Sequence, residues 1–284
     1  MSHFAVAVIG DVDAQMEQFD EQDENYFVHV EGNREVLLKD YQKHKEDKKF
    51  IEEYPSGTLE DFLMWWSGMG SIVKGDDIPN TPYALFDRKG GELLEVYYFY
   101  NKNAFYDYYI KGYNAFITKD GKKTNKARIG DLDFEAMFKK HDEETGKYYD
   151  EIISICGGIP KVPRTWKSLL EQRDKGEITI EQARDIYHEQ PDVKNFNEKD
   201  RGIFRGFSFL LEYFTCTREE YIKKNPPSLC YGLVCNSEYH SQGDMGWWGM
   251  SNDKLTEEEW SEKFWELVKN TDPDETITMF DCHI

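Results

Sequence analysis

The sequence has no long apolar run. None of its hydrophobic segments approaches the roughly 20 residues that a transmembrane helix requires. The N-terminal segment MSHFAVAVIG also lacks the basic start and the small-residue cleavage site of a secretory signal peptide. These absences predict a soluble, cytosolic protein that has no membrane partner.

Basic residues are scarce relative to acidic ones. The 284 residues include 35 Lys and Arg against 55 Asp and Glu, which gives a net charge of −20 and a pI near 4.8. Such a field repels phosphate groups, so direct binding of DNA or RNA is not expected. Two interpretations of the acidity remain. It keeps the protein soluble, or it shapes a surface for a basic partner such as the nucleic-acid groove of another protein.

Cysteine is sparse, and no two cysteines form a tight Cys-x-x-Cys pair. An odd number of unclustered thiols suits a reducing compartment, and we expect most of them to be buried. The five are Cys156, Cys216, Cys230, Cys235 and Cys282. Cys282 has two interpretations: a small buried side chain in a last strand, or a symmetric disulfide that would lock an oligomer.

Complete catalytic, cofactor and metal motifs are also missing. Cys230, Cys235 and His240 recur every five residues, but a structural zinc site requires a fourth ligand and usually shorter gaps, which favours a strand with buried thiols. Cys282 and His283 are adjacent, so in a strand they would point to opposite faces. The glycine segments GMGS and CGGIP are typical of turns. No catalytic, metal-binding or cofactor-binding residue is therefore assigned, and no cofactor is expected.

Aromatic residues, by contrast, are abundant. They make up 15% of the chain, so much of the core must consist of Phe, Tyr and Trp. The stretch from Leu93 to Thr118 predicts two or more strands. Its aromatic belt from Tyr97 to Tyr113 lacks interleaved arginine, which favours a core or an oligomer interface over base stacking. Tyr106, Tyr108 and Tyr109 are candidate contacts with a partner or another subunit.

Local signals predict the remaining elements. We expect strands over 3–9, 228–239 and 276–284, a solvated loop over 11–25, and a hairpin turn at KDGKK. Helices are expected over 39–54, about 59–66, 164–176, 178–191 and 257–268, three of them beginning with capping boxes at Thr58, Thr179 and Thr256. A further helix capped by Asn197 would bury the apolar stripe Ile203, Phe204, Phe207, Leu210, Leu211 and Phe214.

Together these elements predict an α+β fold. Its mixed or antiparallel sheet would include the N- and C-terminal strands, with a helical region around residues 160–225. The predicted parts are an aromatic-rich part over 1–158, a helical region over 159–226 and a strand-helix-strand part over 227–284. Two arrangements of residues 227–284 are open: they form a separate part, or they pack with residues 1–158 as one domain.

The segment GDMGWWGM places two adjacent tryptophans between glycines. It lies between a predicted strand and a predicted helix, so we expect a tight corner there. Two neighbouring side chains cannot both face inward from a regular strand. One of Trp247 and Trp248 is therefore expected in the core and the other at the surface or a subunit interface.

Several long segments resemble a family of bacteriophage and prophage proteins that begin with Met-Ser-His-Phe. The matching segments are MSHFAVAVIGD, NKNAFYDYYIKGYN, KARIGDLDFEAM, IPKVPRTWKSLLE, EQARDIYHEQP, GDMGWWGMSNDKLTEEEWSEKFWELV and the final DCHI. The resemblance spans nearly the whole chain, but it supplies no catalytic residues. Family members carry tryptophans and an Asn-Pro-Asn turn where this chain has Asn101, Lys102 and Asn103.

Within that family the chain is similar to phage inhibitors of the bacterial Gabija defence complex. The resemblance implies a homo-oligomer in the host cytoplasm that binds the Gabija nuclease complex and keeps it from engaging DNA. It implies protein binding rather than catalysis, and the net charge of −20 would favour fast association with basic grooves. Two alternatives remain open: a phage enzyme that acts on a nucleotide or small metabolite, and a structural or virion-associated protein.

Overall fold

The computed structural model describes residues 3–87, 91–200, 210–245 and 251–284, and within them it has the predicted α+β architecture. The chain divides into two compact units. The first unit comprises Met1–His3, Val12–Ile110 and Cys282–Ile284, and the second comprises Phe4–Asp11 and Lys111–Asp281. Throughout these described ranges, no helix has the length and apolar character needed to cross a membrane.

The first unit is built on a four-stranded sheet. Its strands are β2 (Val28–Glu31), β3 (Gly70–Val73), β4 (Tyr83–Phe86) and β5 (Leu93–Tyr100), and its helices are α1 (Val12–Met16), α2 (Arg34–His44), α3 (Lys48–Glu53) and α4 (Leu59–Ser67). The strand order is β2-β5-β4-β3, with β2 and β4 antiparallel to β5. Strand β6 (Tyr108–Lys111) follows, and its first three residues belong to this unit.

The core of the first unit contains residues from α2, α4 and one face of the sheet. Alternation along β5 buries Val96 there, while Tyr97 points to the other face. The buried members of this core are Leu37, Leu63, Met69, Ala84, Phe86, Leu93 and Val96. Helix α4 starts at the Thr58 capping box and ends at Gly68, whose positive φ of 64° is a conformation that favours glycine.

The second unit contains the longest helix of the described residues, a larger sheet and two separate two-stranded sheets. Its strands are β1 (His3–Ile9), β7 (Phe116–Ile117), β8 (Lys123–Thr124), β9 (Lys126–Arg128), β10 (Gly232–Cys235), β11 (Glu238–Ser241), β12 (Gly243–Met245), β13 (Ser251–Asp253) and β14 (Thr276–His283). Its helices are α5 (Phe134–Cys156), α6 (Trp166–Asp174), α7 (Ile180–His188), α8 (Pro191–Lys199), α9 (Arg218–Lys224) and α10 (Glu257–Asn270). His3 of β1 and the last two residues of β14 belong to the first unit.

Two apolar clusters stabilise the second unit. In the first cluster, Trp260, Phe264 and Val268 of α10 pack with residues of the sheet that has the strand order β11-β10-β1-β14. The second cluster joins α5 to the short helices, with Ile152 and Phe214 among its buried members. Burial of these large side chains is the main favourable contribution to folding.

Most of the predicted elements are confirmed. The terminal strands are β1 and β14, and the capping boxes at Thr58, Thr179 and Thr256 begin α4, α7 and α10. Strands also occur where the aromatic stretch predicted them, and KDGKK connects β7 and β8 as a hairpin. The 23-residue helix α5 was not predicted.

Several local predictions are wrong. The single strand expected over 228–239 is instead the antiparallel pair β10 and β11, because the chain turns at Asn236 and Ser237, which both have positive φ. Residues 11–25 are not a solvated loop, because α1 and two 3₁₀ turns form there and bury Met16 and Phe19. The single helix expected over 39–54 is interrupted, because Asp47 accepts hydrogen bonds from backbone N–H groups and begins α3.

The cap predicted at Asn197 is also wrong. This residue lies inside α8, which begins with Pro191 in its first turn. Leu211 and Phe214 are buried as expected, although they lie in a 3₁₀ helix, and Leu210 is half-buried. The other stripe residues, Ile203, Phe204 and Phe207, lie outside the described residues.

Candidate functional site

Four of the predicted contact residues occur in the first unit, on or beside β6 and at the end of β14. Tyr106 precedes β6, Tyr108 and Tyr109 belong to it, and Cys282 lies on β14. Tyr106 and Cys282 are buried, Tyr109 is half-buried, and Tyr108 is 45% exposed. Of these four residues, Tyr108 therefore offers the most accessible side chain to a partner.

The other two predicted contact residues, Trp247 and Trp248, lie outside the described residues. The strands on either side of residues 246–250 are β12 and β13, and they pair in antiparallel fashion. Strand β13 thus separates these residues from α10, whereas the sequence predicted that the corner would lead directly into that helix. The rest of the expected corner lies outside the described residues.

Asp107 and His283 form the closest polar pair at this site. The Asp107 N–H donates to the His283 carbonyl at 3.1 Å, and His283 Nδ1 lies 2.6 Å from Asp107 Oδ1. Because a carboxylate accepts, Nδ1 carries the hydrogen of this bond. His283 Nε2 is buried and has no hydrogen-bond partner within the described part of the chain.

Aromatic rings surround the His283 imidazole. Tyr108 stacks on it with a centroid separation of 4.5 Å and an interplanar angle of 17°. The His3 ring approaches edge-on at 5.1 Å. Tyr109, the next residue of β6, instead lies near Cys282, as expected for side chains that alternate between the faces of a strand.

An acidic segment lies beside this pair and is held by several hydrogen bonds. We call Val12–Asn25 the acidic segment, since it carries Asp13, Glu17, Asp20, Glu21, Asp23 and Glu24 and no basic residue. Asn101 Nδ2 donates to the carbonyls of Gln18 and Asp20 at 2.8 and 2.9 Å. Tyr106 Oη donates to the Met16 carbonyl at 3.0 Å, and the Glu21 N–H donates to the Tyr106 carbonyl at 2.9 Å.

The charges of this surface are not balanced locally. Partial burial, followed by repulsion from Asp107 and Asp20, raises the pKa of Glu21, and attraction to His283 opposes this shift only in part. The carboxylates therefore disfavour one another's charge. A cation placed among them would relieve this repulsion, so the surface suits lysine or arginine side chains.

The geometry of Asp107 and His283 is also relevant to the alternative that the protein is an enzyme. A histidine oriented by a carboxylate through Nδ1 is the arrangement of a general base, whose Nε2 takes the proton. The adjacent thiol of Cys282 lies with Tyr106 and Tyr109, not beside the imidazole. The arrangement thus provides a candidate base but, among the described residues, no nucleophile hydrogen-bonded to Nε2.

Comparisons with known proteins found no matching family model, no matching curated protein and no matching solved structure. The site must therefore be interpreted from its own residues. Sequence reasoning identified the tyrosines but missed the pairing of Asp107 with His283, which are 176 positions apart. No sequence pattern signals a contact of that separation.

Proposed function

We propose that the protein is a phage anti-defence protein that binds a host antiviral nuclease complex of the Gabija type and blocks its engagement of DNA. The resemblance of the sequence to phage inhibitors supports a Gabija-type complex as the partner. The acidic segment supports binding through charge attraction to a basic groove of that partner. A nuclease that grips DNA has a basic groove, and a strongly acidic surface complements such a groove.

The observation that carries this proposal is the fixed position of the acidic segment. Hydrogen bonds from Asn101 and Tyr106, together with burial of Met16 and Phe19, hold the backbone that carries its carboxylates in place before any partner arrives. A preorganised surface loses less conformational entropy on binding than a mobile acidic loop does. The exposed Tyr108 adds an aromatic ring, a side chain that is enriched at interfaces.

Blocking by this route requires no chemistry from the protein. The acidic segment would occupy positions that DNA phosphates otherwise fill, so inhibition would follow from occupancy alone. Association would be fast at low ionic strength and would weaken as salt screens the charges.

The homo-oligomer implied by the resemblance is part of the proposal. Strand β2 lies at one edge of the four-stranded sheet of the first unit. Its Val28 is 40% exposed and pairs with Tyr100, which is 44% exposed. An accessible strand edge with apolar side chains supports pairing between copies of the chain.

Reconstitution tests the proposal. The purified protein is mixed with a purified Gabija complex, and the mixture is analysed by size-exclusion chromatography and by a DNA cleavage assay. We expect the two proteins to coelute and the DNA to remain uncut. Separate elution together with undiminished cleavage would rule out the proposed function.

A further inference from the structure

The second unit contains a cavity of about 450 Å³ that the proposed function does not use. Helix α5 contributes His141, Glu144 and Tyr148 to its wall, at helical spacings that place them on one face. Tyr221 of α9 and Glu257 at the start of α10 also line it. This volume lies within the range of small-molecule binding sites.

The charge of the lining excludes an anionic ligand. Two carboxylates, Glu144 and Glu257, belong to the lining, and none of the lining side chains is lysine or arginine. Lys140, one turn before Glu144 on α5, has its ammonium 3.5 Å from the Glu144 carboxylate, where solvent weakens the pair. Glu257 has no such ion pair within the described residues.

Hydrogen-bond acceptors are also available in the cavity. Tyr221 is 7% exposed, yet its hydroxyl makes no hydrogen bond within the described part of the chain. Burial, with smaller contributions from Tyr148 and Glu257, raises the pKa of Tyr221 to about 12, so the phenol is neutral at physiological pH. Its oxygen therefore retains lone pairs for a donor that enters the cavity.

Three fixed contacts define the shape of the cavity. The Tyr221 ring stacks on Phe214 at 4.8 Å, and Tyr148 meets the same ring edge-on at 5.8 Å, so Phe214 holds both tyrosines. His141 Nε2 donates to the Asn225 carbonyl at 2.8 Å, which ties α5 to the end of α9. The aromatic walls are thus positioned before a ligand binds, and aromatic faces attract cations.

We propose that this cavity binds a small organic cation that carries N–H donors, an amine or a guanidinium. Glu144 and Glu257 would neutralise its charge, the Tyr221 hydroxyl would accept from one N–H group, and the tyrosine rings would cover its aliphatic part. The site is independent of the acidic segment and of the proposed binding to a nuclease.

Calorimetric titration with agmatine, which carries both an amine and a guanidinium, tests this site at about 150 mM salt. We expect saturable one-to-one binding that Glu257→Gln weakens about 5- to 10-fold and Tyr221→Phe about 3-fold. The matched control is Glu258→Gln, which removes the same charge from the next residue and should change the affinity less than about 2-fold.

Three results would overturn the proposal. The first is no saturable binding of agmatine up to about 10 mM. The second is an equal loss of affinity in Glu257→Gln and Glu258→Gln, which would indicate general attraction to an acidic protein. The third is equally tight binding of tetramethylammonium, a cation without N–H donors. Equal melting temperatures of the variants and the wild type show that each variant is folded.

Discussion

Among single residues, Asp107, His283 and the carboxylates beside them set the charge of the proposed binding surface. Asp107 fixes the imidazole through Nδ1, and Tyr108 covers one face of that ring. The negative charge of Glu21 has opposite effects on the stability of the free protein and on the binding of a cationic partner. Its charge is unfavourable in the free protein and favourable once a cationic partner arrives.

Glu21→Gln should stabilise the free protein at neutral pH. Because burial and repulsion raise the pKa of Glu21, the folded state holds a proton there more readily than the unfolded state, and the free energy of unfolding falls as pH rises through this pKa. At pH 7 the free energy of unfolding of the variant should exceed that of the wild type by less than about 1 kcal/mol, so the variant should melt at a higher temperature. Near pH 3 both forms are neutral, so the difference should vanish.

The control for this measurement is Glu24→Gln, which removes an exposed charge three residues away. Thermal unfolding is followed by circular dichroism at both pH values. A lower melting temperature for Glu21→Gln than for the wild type at pH 7 would contradict the electrostatic account of this residue.

The thiols provide a second residue-scale prediction. Burial raises the pKa of Cys230 to about 12 and also raises that of Cys235, while Cys282 is fully buried. Iodoacetamide at pH 8 should therefore leave these three unmodified in the folded protein and should modify the half-exposed Cys216 first. All five should react once urea unfolds the chain, as mass spectrometry of the peptides would reveal.

The burial of Cys282 also bears on the intersubunit disulfide considered from the sequence. A thiol with no accessible surface cannot reach a second copy without local opening. Protein prepared without reductant should run as a monomer on a nonreducing gel. A dimer that disappears in Cys282→Ser would contradict the burial of this thiol.

At the scale of elements, the close approach of two backbone segments in the second unit gives a sharp prediction. Gly112 donates its N–H to the Met279 carbonyl at 3.1 Å, and a Cβ at Gly112 would lie 2.8 Å from the Met279 backbone. Gly112→Ala should therefore lower the free energy of unfolding in urea by about 1–3 kcal/mol, since the segment after β6 must move away from the Met279 backbone.

Gly70→Ala is the matched control for Gly112→Ala. Gly70 is the first residue of β3, and a Cβ there would meet no atom within 4 Å. Its effect should stay within about 0.5 kcal/mol. Equal effects of the two substitutions would show that the loss of glycine alone, rather than the contact with Met279, decides stability.

The elements also show what the sequence can predict. Helices α4, α7 and α10 begin with capping boxes, whose residues lie three positions apart, so their starts could be located. Helix α5 was not predicted because long polar stretches separate its buried residues, so the sequence shows no clear apolar repeat at helical spacing. Its cap at Asp133 and the glycine at 157 were the signals available.

Long-range contacts explain the remaining failures. The acidic segment contains few apolar residues, and its order depends on Asn101 and Tyr106, more than 80 positions away. Local reasoning therefore predicted a loop. The hydrogen bond between Asp107 and His283 could not be predicted either, because neither residue lies in a motif and only the fold brings them together.

For the whole molecule, the proposed association with other molecules rests on the net charge of −20 and on the edge strand β2. Light scattering should give a mass larger than that of the 33.5 kDa chain. Val28→Asp should lower that mass by placing a charge on the edge strand. Val36→Asp, at an exposed position on α2, is the control and should leave the mass unchanged. A monomeric wild type would contradict the proposed oligomer.

The most direct test of the central claim is the affinity for a Gabija complex of a variant with a weakened acidic segment. Glu17→Gln, Glu21→Gln and Glu24→Gln together remove three charges without altering the hydrogen bonds that hold the segment. Glu171→Gln, Glu177→Gln and Glu262→Gln remove three exposed charges from the second unit and form the matched control.

Binding of each variant is measured by surface plasmon resonance over a series of salt concentrations. We predict at least a 10-fold loss of affinity and a shallower salt dependence for the first triple variant, and less than a 3-fold loss for the control. Equal losses in the two variants would contradict the account, because binding would then follow net charge rather than the acidic segment.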